Sequence, residues 1–353
     1  MSRNSRAILK DTVPAMTQDT VHSTLDVIFD LTVGALMASG ANRDNAEAVA
    51  EVVWKAERDG CLSHGIFRVP GYCNALKADA VNGNAAPKVI DQAPGVVRVD
   101  AENGLAPLAM KIGRPALIEK TKSQGIAALG IANSAHFAAL WPDIEPLADA
   151  GLVAMNFVNS RAFLAPVGGK QAVFGTNPMA FAVPRPGKPP MVFDQASSAS
   201  ARGELMLAAR DGHMVQEGLG LGPDGRPTTD PAAILKGVQL PFGGYKGGAI
   251  AMMVEILAAC VTGADTSLEG EAAYTGHGGP SAAGHLVIAI DPSKFGNNRF
   301  LERVETMFES ILDDEGVRLP GDRRLINRKQ TPETGVHMDK ALYDKVVAIR
   351  DGG

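Results

Sequence analysis

Cysteine is scarce in this chain: three among 353 residues, at positions 61, 73 and 260. An odd number in apolar or helical surroundings argues against a disulfide framework and fits reduced thiols in a cytosolic protein. Cys61 also lacks the spaced histidine and amide or acid that a nucleophilic thiol needs, and reads as a small buried hydrophobe. A large excess of one sign of charge is missing as well. The formal net charge is −5 with no long basic run, so nothing calls for nucleic acid or an anionic membrane as partner. The longest apolar run, "GGAIAMMVEILAACVTGA", is interrupted by Glu255 and is too short to span a bilayer, so it reads as a core helix. The opening "MSRNSRAILKDTVPAMTQDT" has neither the apolar core nor the cleavage site of a secretory signal and reads as a frayed polar lead-in.

Cofactor and metal signatures are missing too. No P-loop, no H-E-x-x-H and no Cys/His metal spacing occurs. Gly220, Gly222 and Gly225 satisfy G-x-G-x-x-G, but that fingerprint needs a strand before it and a helix starting at its end to take the pyrophosphate. Pro223 and the following "RPTTDP" leave no room for such a helix. A glycine-rich surface turn is the expectation, and a dinucleotide would have to bind through some other fold.

What is present is a chain 45% apolar, long enough for one large domain or two closely joined ones. Helical spacing covers residues 21–39. A second helix follows in "NRDNAEAVAEVVWKAERDG", with an Asp44 to Glu47 capping box and a stop at Gly60. Strand and helix then alternate through "GVVRVD", "LAPLAMKIGRPALIEKTKSQG", "IAALGIANS", "IEPLADAG" and "LVAMNFVNS". "MVFDQAS" is a strand, "GLGLGPDGRPTTDP" a loop, "GHLVIAID" a strand and "RFLERVETMFESILDDEG" an amphipathic helix. "RLPGDRRLINRKQTPETG" reads as a basic, Pro/Gly-punctuated tail on the surface or over something anionic. The expected class is α/β, with a helical layer from both chain ends around a central unit: residues 1–85 helical and catalytic, 86–290 central, 291–353 returning to the first layer.

Chemistry concentrates in "LSHGIFRVPGYCNAL", residues 62–76. His64 can give or take one proton near neutral pH, and the Ser63 hydroxyl can relay a hydrogen bond to it. Arg68 offers a planar fork for a carboxylate. If residues 64–68 are helical, the two side chains share a face. Pro70 pushes Val69 away from the helical region, and a surface or capping arrangement remains the alternative. His136 in "NSAHFAAL" follows a buried strand, where α/β proteins collect ligands. Thr176 and Asn177 precede Pro178 in a turn, and Asp194 ends a strand. Glu204 could orient a histidine and raise its pKa. Lys246 starts a helix between glycines, against the dipole, and calls for an anionic partner.

Together "SHGIFRVPGY", "NSAHFAAL", "GTNPMAF", "FDQASS", "GRPTTDP" and "GGYKGG" resemble, over nearly the whole chain, the malate/L-lactate dehydrogenase family that lacks a Rossmann fold. "HFAAL" and the acid at Glu204 are most similar to its delta-1-piperideine-2-carboxylate/delta-1-pyrroline-2-carboxylate reductases. Members that oxidise hydroxy acids often carry lysine at that position. The resemblance implies a cytoplasmic homodimer with a non-Rossmann central NAD(P)H-binding sheet domain, acting on a small anionic imino or oxo acid. It implies Ser63, His64 and Glu204 as catalytic, with Arg68 and Thr176 binding substrate. It places NADPH, or NADH, on His136, Phe137, Ala138, Ala139, Leu140, Ser160, Asp194, Gln195, Ala196, Lys246 and Gly247. The tail residues Arg318, Leu319, Pro320, Gly321, Asp322, Arg323 and Arg324 complete that set, the last two arginines facing a 2′-phosphate. A 2-hydroxy acid dehydrogenase for malate, lactate or ureidoglycolate and a catalytically silent dinucleotide-binding protein are the competing expectations. Two departures stand out: Glu204 is one methylene longer than the aspartate of the imine reductases, and Leu219 replaces a common tryptophan.

Overall fold

The computed structural model describes residues 19–135, 139–274, 276, 282–296 and 298–353. The first helical stretch begins later than its apolar spacing suggests. Thr20–Ser23 forms a strand, β1, paired antiparallel with residues 336–339. Thr24 then accepts from the Val27 N–H and caps α1, Leu25–Ala38. α2, Arg43–Arg58, is capped by Asn42 through the Asn45 N–H. The expected Asp44–Glu47 box does not form, because Glu47 pairs with Arg43 one turn back. Gly60 ends the segment at φ 73, where glycine alone is unstrained.

Two 3-10 turns, Leu62–His64 and Ile66–Arg68, lead into α3, Val69–Lys77. Residues 64–68 are therefore not one helix. Val69 is helical at φ −55 and ψ −45, contrary to the expectation from Pro70. Its complete burial outweighs the pre-proline preference, and a proline in the first turn gives up no intrahelical bond.

The central unit runs β2 (Lys88–Ala93), β3 (Val96–Leu105), α4 (Ala106–Gln124), β4 (Ile126–Ala135), α5 (Trp141–Asp149), β5 (Val153–Val158), β6 (Met179–Val183) and β7 (Met191–Gln195). A peripheral stretch follows with α6 (Arg202–Arg210), β8 (Gly220–Leu221), α7 (Pro231–Lys236), β9 (Val238–Gln239) and α8 (Tyr245–Glu255). α8 continues as a π turn over Ile256–Cys260, before α9 (Ser267–Ala272) and β10 (Ala283–Ile290). The seven-stranded sheet has the order β2-β3-β4-β10-β5-β6-β7. Only its β3–β4 neighbours are parallel; the other pairings are antiparallel. The glycine-rich segment is a turn, with Gly225 N–H on the Gly222 carbonyl at 2.9 Å, and the next helix waits until Pro231.

α10 (Phe300–Leu312) is followed by α11 (Asp322–Thr334), β11 (Val336–Asp339) and α12 (Lys340–Arg350). The basic tail is thus mostly helix, which corrects its reading as punctuated surface chain. Gly321 at φ 91 and Gly335 at φ 67 bound α11 rather than break it. One apolar core joins α1, α2 and α3 to Val346 and Ile349 of α12. A second lies between the sheet and α4 with α5.

Candidate active site

The Ser63–Arg68 segment is presented by the end of α2. Ser63 Oγ and His64 Nδ1 are 2.9 Å apart, and both residues are half-buried. The imidazole is therefore held through Nδ1. Ile66 is 2% exposed and anchors the turn between His64 and Arg68. Arg68 Nε is buried without a hydrogen-bond partner, and Nη1 reaches only the Met206 sulfur at 4.0 Å. Burial lowers the Arg68 pKa, against a lesser opposing influence of Tyr72. No carboxylate pairs with this guanidinium among the described residues. A cleft of about 480 Å³ opens beside it, lined by Phe67, Tyr72, Met206 and Leu342 among others.

The start of α6 closes over this turn. A Cβ on Gly203 would lie 3.1 Å from the Ser63 Cβ and 3.3 Å from Arg68 Nη2. Glu204 is the next residue; its side chain is exposed and accepts from Ser200 Oγ at 3.3 Å. Arg202, which sequence reading passed over, stacks 3.8 Å above the Phe163 ring. Burial pushes its pKa down to about 10, helped by the like charges of Arg161 and Arg68.

A second wall gathers Ser160, Thr176 and the residues around Ser197. Gly175 packs so closely on Ser160 that a Cβ would sit 2.4 Å from its hydroxyl. Ser197 donates its N–H to Thr176 O at 2.8 Å and its hydroxyl to Asn177 O at 2.7 Å. The Phe242 N–H donates to Ser197 O at 3.1 Å, which brings in Lys246 and Gly247. A Cβ at Gly247 would meet the Phe242 carbonyl at 2.0 Å. Behind them Glu255, 7% exposed, accepts from Asn177 Nδ2 at 2.7 Å and from the Ser267 N–H and hydroxyl, both at 2.6 Å. The Gly175 N–H in turn donates to Ser267 Oγ at 2.8 Å. This buried carboxylate fixes the turn carrying Thr176; its one visible signal in sequence is an acid inside an otherwise apolar helix.

Asp194, at the end of β7, accepts from the Leu140 and Trp141 N–H groups at 2.7 and 3.2 Å. It thus caps α5 and sets where residues 139–141 lie, a positioning task that its strand-end location alone did not reveal. Burial raises its pKa, opposed by those N–H groups and by Arg324. Gln195 is exposed and Ala196 half-buried beyond it. His136, Phe137 and Ala138 lie outside the described residues; Ala139 and Leu140 are buried.

From the tail, Arg324 donates to the Val192 carbonyl and lies 5.0 Å from the Trp141 ring. Leu319 is buried, Asp322 accepts its N–H at 2.8 Å, and Arg318, Pro320 and Arg323 are exposed. Gly321 presses on Val192, where a Cβ would lie 2.8 Å from its carbonyl oxygen. Arg328, absent from the sequence reading, bridges Asp59 at 2.6 Å and Glu145 at 2.7 Å. Burial works against ionised Asp59, but Arg328 and Arg58 outweigh it and hold the carboxyl below its ordinary range. Cys61 has its thiol pushed up to about 12 by burial, so it is no nucleophile near neutral pH.

The family model for malate/L-lactate dehydrogenase matches residues 24–347. The chain is 48% identical over 298 residues to a Delta(1)-pyrroline-2-carboxylate/Delta(1)-piperideine-2-carboxylate reductase of Pseudomonas putida, covering 82% of this chain and 87% of that one. It is 43% identical over 332 residues to a protein of the same name from Pseudomonas aeruginosa, covering 93% and 99%. Among solved structures, the delta1-piperideine-2-carboxylate reductase of Pseudomonas syringae superposes with a TM-score of 0.88 at 42% identity, covering 93% of this chain and 99% of that chain. The chain belongs to the malate/L-lactate dehydrogenase family.

Proposed function

We propose that this chain is an NAD(P)H-dependent reductase of cyclic imino acids, converting delta-1-piperideine-2-carboxylate and delta-1-pyrroline-2-carboxylate to L-pipecolate and L-proline. The observation that carries the reading is the Ser63–His64 hydrogen bond beside a buried guanidinium that has no acidic partner among the described residues. Names of relatives at 43–48% identity support it.

Arg68 takes the substrate carboxylate through two parallel hydrogen bonds. Ser63 holds His64 by Nδ1, and Nε2 hands its proton to the imine nitrogen. Thr176 approaches substrate from the facing loop, and Glu204 completes the proton relay. The nicotinamide cofactor, when bound, supplies the hydride that the C=N carbon receives.

The donor set suits that cofactor. Lys246 is exposed in the first turn of α8 and has no ion pair among the described residues. It follows Gly243 and Gly244, at φ 55 and 64, where a Cβ would meet nothing within 4 Å. An anionic group can approach open backbone, a helix N-terminus and a lysine together. Ser160, residues 139–140, 194–196 and 318–322 extend this surface over the largely antiparallel sheet, which we read as a non-Rossmann platform. Arg323 and Arg324 select NADPH over NADH.

The chain works as a homodimer in the cytoplasm on this reading. Its cysteines are unpaired, and Tyr245, Met252, Ile256 and Val261 leave an apolar face of α8 and its π turn exposed, which suits a second copy. The test follows cofactor absorbance with piperideine-2-carboxylate, pyruvate, oxaloacetate and glyoxylate offered separately with NADPH or NADH. Turnover of the imine supports the proposal; turnover of the oxo acids alone assigns a 2-hydroxy acid dehydrogenase, and tight NADPH binding without turnover a silent binder. His64→Ala abolishes reduction while leaving NADPH affinity within about twofold.

A further inference from the structure

We propose that Glu57 is the positioning residue for the proton-donating histidine: its buried carboxyl anchors the chain at Gly65–Ile66 and so fixes His64 relative to Arg68. The inference rests on the role given to His64 above. Glu57 lies in the last turn of α2 and is 3% exposed. Its Oε1 accepts the Ile66 N–H at 2.8 Å, midway between the two working side chains. Within the segment itself, each 3-10 turn is closed by short-range bonds such as His64 N–H to Cys61 O and Arg68 N–H to Gly65 O, both 2.9 Å. Such turns are poorly aligned and need a tertiary hold. At the break between the two turns the Ile66 N–H goes to the carboxyl, which also packs against Gly65.

The fit explains the glycine. A Cβ at residue 65 would lie 1.9 Å from Glu57 Oε1 and 2.6 Å from its Cδ. Gly65 has φ −86, outside the left-handed region, and the neighbouring carboxyl leaves no room for a Cβ there. Glu57 Oε2 is buried and has no hydrogen-bond partner among the described residues. A carboxylate in that position would be short of donors. Burial pushes the group up to about 7, with the Ile66 N–H pulling the other way, so the neutral acid is well populated at neutral pH. Glutamine reproduces the shape, the acceptor and the neutrality of that form.

The experiment measures kcat, KM and NADPH Kd for Glu57→Leu, Glu57→Gln, Gly65→Ala, the Glu57→Leu/Gly65→Ala double variant and His64→Ala. Glu57→Leu and Gly65→Ala each lower kcat by roughly 100-fold, the scale of an ångström-sized misplacement, with NADPH Kd within about twofold. Glu57→Gln recovers the rate to within about threefold of the parent. The double variant is no slower than either single one, since both break one contact and the losses do not add. A folded Glu57→Leu or Gly65→Ala with parental kcat, beside an inactive His64→Ala, overturns the anchor. So do additive losses in the double variant, or a Glu57→Gln as slow as Glu57→Leu. Should Glu57→Leu not fold, Gly65→Ala and Glu57→Gln decide the matter. A fully active His64→Ala removes the donor reading itself and is recognised separately by that one variant.

Discussion

Two buried glutamates stand behind the two walls of the site and hold them by different means. Glu255 accepts three hydrogen bonds, from Asn177 and from the amide and hydroxyl of Ser267. Glu57 accepts a single one, from Ile66, and keeps its second oxygen without a partner among the described residues. The Glu255 carboxylate is therefore fully engaged, although Asn177 Oδ1 beside it is buried with no hydrogen-bond partner among the described residues. The Ser63–Arg68 wall keeps unpaired atoms at Glu57 Oε2 and Arg68 Nε. Both walls thus hold an unsatisfied buried atom, and what differs is the acid behind each: one held by three donors, the other by one.

The largest expected effect comes from breaking the Glu255 network. Glu255→Leu strands the Ser267 N–H and weakens the hold on Asn177, costing about 3–5 kcal/mol. A melting temperature within 2 °C of the parent, on the order of measurement error for such a loss, would show that the network is not what holds this wall. Next is Arg68→Lys, which leaves the charge and removes the fork. It should raise substrate KM roughly 10- to 100-fold and change kcat far less; a kcat effect alone would contradict carboxylate binding.

The smallest effect sharpens the difference between the two acids. Glu57 is raised from an ordinary 4.5 to about 7, so the folded state binds more protons than the unfolded one between those values. Its stabilising contribution is full below pH 4.5 and is lost as pH rises through about 7. Asp143, raised from 3.8 to about 7 by burial, acts in the same sense. The titratable and charged neighbours of Glu57 include Cys61, Asp59 and Arg58 on the adjoining chain and His64 beyond Gly65. Denaturation from pH 5 to 8 should therefore show stability falling, by on the order of 2 kcal/mol for Glu57. Glu57→Gln should flatten that slope and leave the Asp143 share; an unchanged slope would remove Glu57 as its source.

Much of the fold is legible in the pattern of residues. Gly60 and Gly125 stop their helices at φ 73 and 85, and the alternation of strand and helix from residue 96 to 158 is visible from periodicity alone. The errors have two causes. β1 carries helix-like spacing yet is drawn into a strand by tertiary pairing with residues 336–339, whereas in α2 a local i,i+4 pair takes Glu47 to Arg43 and the cap falls on Asn42. Of the candidate site, Ser63, His64 and Arg68 stand out by residue type and spacing. Glu57 does not, since it sits among Glu51, Lys55 and Arg58 and looks like one more charge on a solvated helix face. Its trace in the sequence is indirect: the glycine directly after the histidine, against which the carboxyl packs.

The pairing of β1 with β11 has a consequence for the order in which the protein becomes competent during synthesis. The core that supports Tyr72 and Ile66 also contains Val336, Val346 and Ile349. A nascent chain that has emerged only through the sheet already carries the serine, the histidine and the arginine, but not the helix that packs beneath them. The Ser63–Arg68 side of the site is thus written early and assembled last.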